Sequence, residues 1–240
     1  YKRQLREFVA LAGVRACDRG AVALLYLAIP LQYLWAWLGW YGAFLLFIPL
    51  CMLLAVATRL VLTGETQGFV RAAAVMQWGL MTTVYALSHL AFLLALPQPD
   101  RVPYNGVTLL FFVVFLTEFN DVAQYVWGKC CGRRQAIARV SPNKTCEGLV
   151  GGVATTTVLA WLIAPWLTPL DTLESIAAGG LIGTAGFAGD IVMSAIKRDV
   201  GVKDTARLLP GHGGALDRLD SLIFTAPLFF HFLTLQHYPS

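Results

Sequence analysis

What this chain has least of is charge. Of its 240 residues only 13% are Asp, Glu, Lys or Arg, against roughly 25% in soluble domains. Mean hydropathy is +0.63. So few charges cannot clothe a water-soluble surface, which excludes an ordinary cytosolic or secreted globule. The five cysteines, Cys17, Cys51, Cys130, Cys131 and Cys146, contain no C-x-x-C spacing. That argues against a disulfide framework or a zinc site and leaves them as reduced thiols. The apolar runs do not alternate with polar residues, which argues against a transmembrane β-barrel. No internal repeat is visible. The first apolar run is long and carries no A-x-A site, so a cleavable signal peptide is not expected. Tyr1 is not an initiator residue, so further N-terminal sequence is expected.

What is present in quantity is apolar residues, 57% of the total, in runs long enough to cross a bilayer as helices. The expected fold is all-α, a polytopic integral membrane protein with about seven transmembrane helices. The runs fall near 21–38, 41–62, 72–96, 107–127, 149–168, 174–196 and 221–238. Pro30 and Pro49 lie inside spans and are expected to kink them, which neighbouring helices can accommodate in a membrane. Trp35, Trp37, Trp40 and Tyr41 gather at a junction, as an interfacial aromatic belt would place them. Residues 1–20 carry five bases among helically spaced apolar residues. They read as an amphipathic surface helix or an extension of the first span. Two regions are expected: 1–106, with this helix and three spans, and 107–240, with four spans and the loops 128–148 and 197–220.

The few charges are unevenly placed. With seven spans, seventeen of the eighteen Lys and Arg residues fall on one side of the membrane, and only Arg101 falls on the other. The positive-inside rule makes the rich side cytoplasmic. Both charge-dense loops lie on that side, where they could build one site.

The acids within spans are the next signal. Glu118 and Asp121 stand one helical turn apart, and Asp190, Ser194 and Lys197 form one stripe. Acids at such positions are costly and usually face a protein interior or a watery cavity. Lys197 and Arg198 also fit a snorkelling helix end; Asp190, two turns inside, does not. His89, His231 and His237 are expected to be packing residues. The glycines from Gly179 to Gly189, and Gly151 with Gly152, are expected to let helices approach closely.

Residues 189–220 concentrate five acids, five bases, one histidine and five glycines. Asp217 and Asp220, three apart, would point the same way on a helical turn. Together with Asp190 they could hold a hard divalent cation through oxygen ligands. Lys197, Arg198, Lys203, Arg207 and Arg218 stand beside them. Acids interleaved with bases suit an anionic, metal-bound ligand such as a nucleoside triphosphate with magnesium. In Pro210-Gly-His-Gly-Gly214, backbone N–H groups at Gly213 and Gly214 could cradle phosphate oxygens, with His212 as a further donor. The 128–148 loop offers Lys129, Arg133, Arg134, Arg139 and the segment Ser141 to Gly148. On residue type alone that loop is equally an ordinary basic loop meeting anionic headgroups.

The stretch S-A-I-K-R-(x4)-K-D-(x)-A-(x2)-L-P-(x)-H-G-G-(x2)-D-R-L-D, Ser194 to Asp220, resembles the signature of the CDP-diacylglycerol synthase (phosphatidate cytidylyltransferase) family. Asp121-(x3)-Tyr125-(x2)-Gly128-Lys129 and Ser141-Pro-x-Lys144-Thr145-x-x-Gly148 agree with it. The resemblance covers about residues 107–238 and is highly specific. It implies a membrane enzyme that makes CDP-diacylglycerol and pyrophosphate from CTP and phosphatidic acid, with Mg2+ as cofactor and room for a second cation. It implies metal ligation by Asp190 and Asp217, with Asp220 and Asp121 near the metal or nucleotide. Ser194, Lys197, Arg198, Lys203 and His212 would surround the phosphates, and Lys144 with its loop would help close the site. The chain departs from the pattern at Cys146, Met193, Gln124 and Ala215, which leaves a different lipid phosphate open as acceptor.

The expected catalytic residues are thus Asp190, Lys197, Asp217 and Asp220. Partners are CTP, a lipid phosphate and membrane lipids, without nucleic acid; a homodimer is left open. The expected location is the cell inner membrane, with the site facing the cytoplasm. An ion-coupled transporter is the competing reading, but it predicts repeated halves around a mid-membrane site. A CDP-alcohol phosphotransferase would need a D-G-(x2)-A-R-(x8)-G-(x3)-D-(x3)-D run, which is absent.

Overall fold

The computed structural model describes Leu5 and residues 19–64, 67–96, 104–199 and 219–238. The expected surface helix over 1–20 and most of the 197–220 loop lie outside the described residues. With them go Lys203, His212, Gly213, Gly214, Asp217 and Arg218.

Seven helices account for nearly all of the described chain: α1 Arg19–Leu38, α2 Tyr41–Val61, α3 Phe69–Ala95, α4 Gly106–Cys131, α5 Cys146–Leu167, α6 Thr172–Asp199 and α7 Leu222–His237. Among the described residues, the first six are long and apolar enough to cross a membrane, and α7 is a shorter apolar helix. The protein is therefore an all-α polytopic membrane protein. Cys51, Cys130, Cys131 and Cys146 are free thiols. The chain divides into two compact units.

The first unit contains α1, α2 and α3. Its core joins Leu25, Ala28, Ile48, Val56, Leu80 and Val84, all shielded. Pro49 falls in a π-helical stretch, Phe47–Met52, inside α2. Proline has no N–H to give, so nearby carbonyls need other donors. Gln32 Nε2 reaches the Phe44 carbonyl at 3.2 Å, and Gln77 Nε2 reaches that of Ile48 at 2.9 Å. Neighbouring helices thereby satisfy the backbone that a membrane cannot solvate. Gly39, at φ 68°, turns the chain between α1 and α2, and Trp35 stacks on Trp40 there at 5.4 Å. His89 is fully buried, bonds the Tyr85 carbonyl at 2.9 Å and packs edge-on against Phe44. It is the packing residue that its apolar surroundings suggested.

The second unit is an up-and-down bundle of α4, α5, α6 and α7. At one end Thr108 Oγ1 donates to the Leu167 carbonyl at 2.9 Å, and His237 meets Glu174 at 2.9 Å. The bundle is greasy outside, where Val150, Trp166 and Leu173 are exposed, and its largely apolar core of Phe112, Leu116, Phe229 and Phe230 also encloses Thr117, Asn120, Thr156 and Thr225. Apolar residues both outside and inside suit lipid, where close packing and interhelical hydrogen bonds replace the hydrophobic drive. Asn120 donates to the Gly183 carbonyl at 3.2 Å and accepts from Thr156 at 3.1 Å. Thr117 donates to Thr225 across 2.9 Å. A Cβ on Gly179 would lie 2.6 Å from Thr157 Cα, so that glycine sets the α5–α6 approach.

The connection between α4 and α5 is more ordered than the loop expected over 128–148. α4 continues to Cys131, and a two-stranded antiparallel hairpin follows, β1 Gln135–Ile137 and β2 Ser141–Thr145. Glu147 fixes it. Its carboxylate accepts from the backbone N–H groups of Arg133 at 3.0 Å and Arg134 at 3.1 Å. Thr145 caps α5 by accepting from the Gly148 N–H at 3.0 Å.

Candidate active site

The end of the second unit where α4 and α6 finish and α5 and α7 begin gathers the polar side chains. Three contacts tie it together. Lys144 Nζ, carried on β2, lies 2.6 Å from Asp190 Oδ2 on α6. Ser221 Oγ, at the start of α7, donates to Asp121 Oδ2 on α4 across 2.7 Å. Lys197 Nζ on α6 lies 3.8 Å from Asp220 Oδ2 in the turn before α7. Ser194 Oγ donates to Asp190 Oδ1 at 3.3 Å, as their spacing of four on one helix face allows.

Close helix approach makes this convergence possible. A Cβ on Gly189 would lie 2.6 Å from the Asp220 carbonyl and 3.2 Å from that of Ser221. Bare backbone at Gly189 therefore lets the start of α7 settle against α6. On the other side, a Cβ on Gly152 would collide with the Gln124 side chain, and one on Gly148 would lie 2.8 Å from the Gln124 carbonyl. These glycines admit Gln124 to the α4–α5 seam.

Between α4, the hairpin and the start of α5 lies a cavity of about 440 Å3, of a size suited to a small-molecule ligand. Asp121, Gln124, Lys129, Ser141, Lys144 and Thr145 are among its walls. The two shorter motifs singled out in the sequence thus line one cavity, and the Lys144–Asp190 pair links it to the helix that opens the longer one.

Negative charge is in local excess here. Burial, with the Asp190 and Asp121 carboxylates nearby, pushes the Asp220 carboxyl up to about 7, and Lys197 only partly offsets this. Asp121 Oδ1 is buried with no hydrogen-bond partner among the described residues. Crowded carboxylates with an unsatisfied oxygen are the donor set a hard divalent cation favours. Among the described residues, no three of His, Cys, Asp and Glu already stand close enough to form a metal cage. The expected trio includes Asp217, outside the described residues.

Of the expected site residues, Asp121, Lys144, Asp190, Ser194, Lys197 and Asp220 meet at this end of the bundle. Arg198 is exposed at the end of α6. Glu118, paired with Asp121 by spacing, points to the exposed side of α4. Three contributors were not among the expected site residues: Ser221, which holds Asp121; Gln124, whose Oε1 accepts from Lys144 Nζ at 3.4 Å; and Phe187, whose ring centre is 5.7 Å from that ammonium. Gln124 stood out in the sequence only as a departure from the resembling pattern.

Comparison with known proteins places the chain in a family. The chain is 55% identical over 209 residues to the uncharacterized protein YnbB of Escherichia coli, covering 87% of this chain and 70% of that one. It is 42% identical over 140 residues to a phosphatidate cytidylyltransferase of Synechocystis, covering 58% of this chain and 47% of that protein. With a phosphatidate cytidylyltransferase of Bacillus subtilis it shares 39% identity over 133 residues, 54% of this chain and 49% of that one. The matches thus span about half the length of these two enzymes. The pattern of the cytidylyltransferase family matches residues 3–236, nearly the whole chain. The chain belongs to the cytidylyltransferase family.

Proposed function

We propose that this protein transfers CMP from CTP to the phosphate of a membrane lipid, phosphatidic acid, giving CDP-diacylglycerol and pyrophosphate. The observation that carries this reading is the Lys144–Asp190 pair at the rim of a cavity lined by both shorter motifs. It sets an ammonium suited to phosphate beside a carboxylate suited to a cation. The phosphatidate cytidylyltransferases among the relatives support the lipid acceptor.

In the proposed reaction an oxygen of the lipid phosphate attacks the α-phosphorus of CTP. A new P–O bond forms, the bond to the bridging α–β oxygen breaks, and pyrophosphate leaves with that electron pair. The nucleophile is already anionic, so no strong general base is required. The difficulty is to bring two polyanions together, which positioning and electrostatics overcome. Lys144 and Lys197 would hold phosphate oxygens, with Arg198, Lys203, Arg218, His212 and the Gly213–Gly214 backbone as further donors. Ser194 would orient Asp190, and Ser221 would orient Asp121. Asp190, Asp217 and Asp220 would hold magnesium, which when bound would offset charge on the triphosphate. The basic end of the second unit would face the cytoplasm, in the inner membrane of a bacterial cell.

The test is a purified-protein assay of pyrophosphate release from CTP with a panel of lipid phosphates, with and without magnesium. Release that requires both phosphatidic acid and magnesium is expected. Release with another lipid phosphate alone would reassign the acceptor, and none with any would overturn the reading.

A further inference from the structure

Gln124 is shielded almost completely, at 4% exposure, yet it lines the cavity. Its two amide ends have opposite fates. An ammonium can only donate, so the atom facing Lys144 Nζ at 3.4 Å must be the carbonyl Oε1. The other end, Nε2, is therefore the donor, and it has no acceptor among the described residues. A buried N–H is seldom left unmade without a reason. Gly152 keeps the space this side chain fills.

Lys144 has two acceptors, Asp190 and Gln124. In the reading above Asp190 serves a cation, which would compete with the lysine for it. Gln124 is the acceptor that remains to keep the ammonium at the cavity. We infer that Gln124 is a phosphate-binding and positioning residue: Oε1 steadies Lys144, and Nε2 donates to an oxygen of the same phosphate. The ligand class is a phosphate ester or anhydride, carried by either a nucleotide or a lipid headgroup. This inference rests on the cytidylyl-transfer reading for the cation at Asp190 and for the identity of that phosphate.

The experiment measures binding of three probes to the full chain in nanodiscs: inorganic pyrophosphate, CTP, and phosphatidic acid in phosphatidylcholine vesicles. Gln124→Glu keeps an acceptor for Lys144 but removes the donor, and Gln124→Met keeps the length but has neither. Each variant is expected to weaken at least one probe about tenfold or more, as loss of a hydrogen bond to a charged group does. Thermal melting should stay near that of the parent, which a merely structural role would not predict. Weakening confined to CTP and pyrophosphate assigns the nucleotide phosphates; weakening confined to vesicles assigns the lipid. If the parent binds pyrophosphate but neither CTP nor phosphatidic acid, and the variants lose it, the role of Gln124 stands while the cytidylyl reading falls. Parent-like binding of all three probes by either folded variant overturns the role of Gln124 and leaves the cytidylyl reading intact. No binding of any probe by the parent overturns both.

Discussion

Lys144 Nζ and Asp190 Oδ2 stand 2.6 Å apart although 46 residues separate them in sequence, one on a hairpin strand and the other inside a helix. Each side chain is about one-fifth exposed, so the pair is neither a screened surface contact nor a fully buried bridge. It joins the cavity to the charged end of α6. Asp190→Asn keeps the shape and removes the charge. Magnesium-dependent pyrophosphate release should fall by roughly 100-fold or more while the variant remains folded. Adding Lys144→Met should lower release further, because Lys144 would hold a phosphate oxygen of its own while Gln124 keeps it in place. Normal turnover by Asp190→Asn would remove Asp190 from the proposed chemistry.

Glycine substitutions should separate close approach from mere flexibility. At Gly189 an added methyl lies 2.6 Å from the Asp220 carbonyl, and backbone cannot rotate away. Gly189→Ala should destabilise the protein by about 1–3 kcal/mol and also lower activity, through Asp220 and Ser221. At Gly180 the nearest atom is Thr157 Oγ1 at 3.9 Å. Gly180→Ala should be neutral or slightly stabilising, by up to about 1 kcal/mol. Thermal melting of both variants in the same detergent decides the matter.

Glu147 tests whether the hairpin serves the site. It is half-buried, and its carboxylate joins two backbone N–H groups of the segment leading into β1. Glu147→Ala should barely change the melting temperature, since the bundle core is untouched. It should raise protease cleavage within 133–145 and weaken CTP binding by several-fold, because β2 carries Lys144. Unchanged CTP affinity with a loosened hairpin would separate the hairpin from nucleotide binding.

Asn120 offers a purely structural comparison. It links α4 to both α5 and α6 through Thr156 and Gly183. Asn120→Leu should cost about 1 kcal/mol, the scale of interhelical hydrogen bonds in membranes. Chemical denaturation in mixed micelles measures it; no measurable loss would mean that packing alone holds these helices.

The sequence by itself determined the helices and the order in which they run, because the bilayer demands about 20 apolar residues per crossing and internal hydrogen bonding throughout. It also marked Asp121 and Asp190, since an acid is expensive in an apolar helix wherever that helix packs. Lys144 was readable from the motif it sits in. Pairwise relations were not readable in the same way. That Ser221 holds Asp121 across 100 positions, that Lys144 meets Asp190, and that Gln124 shares the lysine depend on where Gly148, Gly152 and Gly189 let backbones touch. The hairpin was hidden too, because strands of three and five residues with Pro142 among them carry little pattern of their own. Solvent cost acts on each residue singly and is written along the chain; mutual contact arises only when helices pack, so only the tertiary structure decided it.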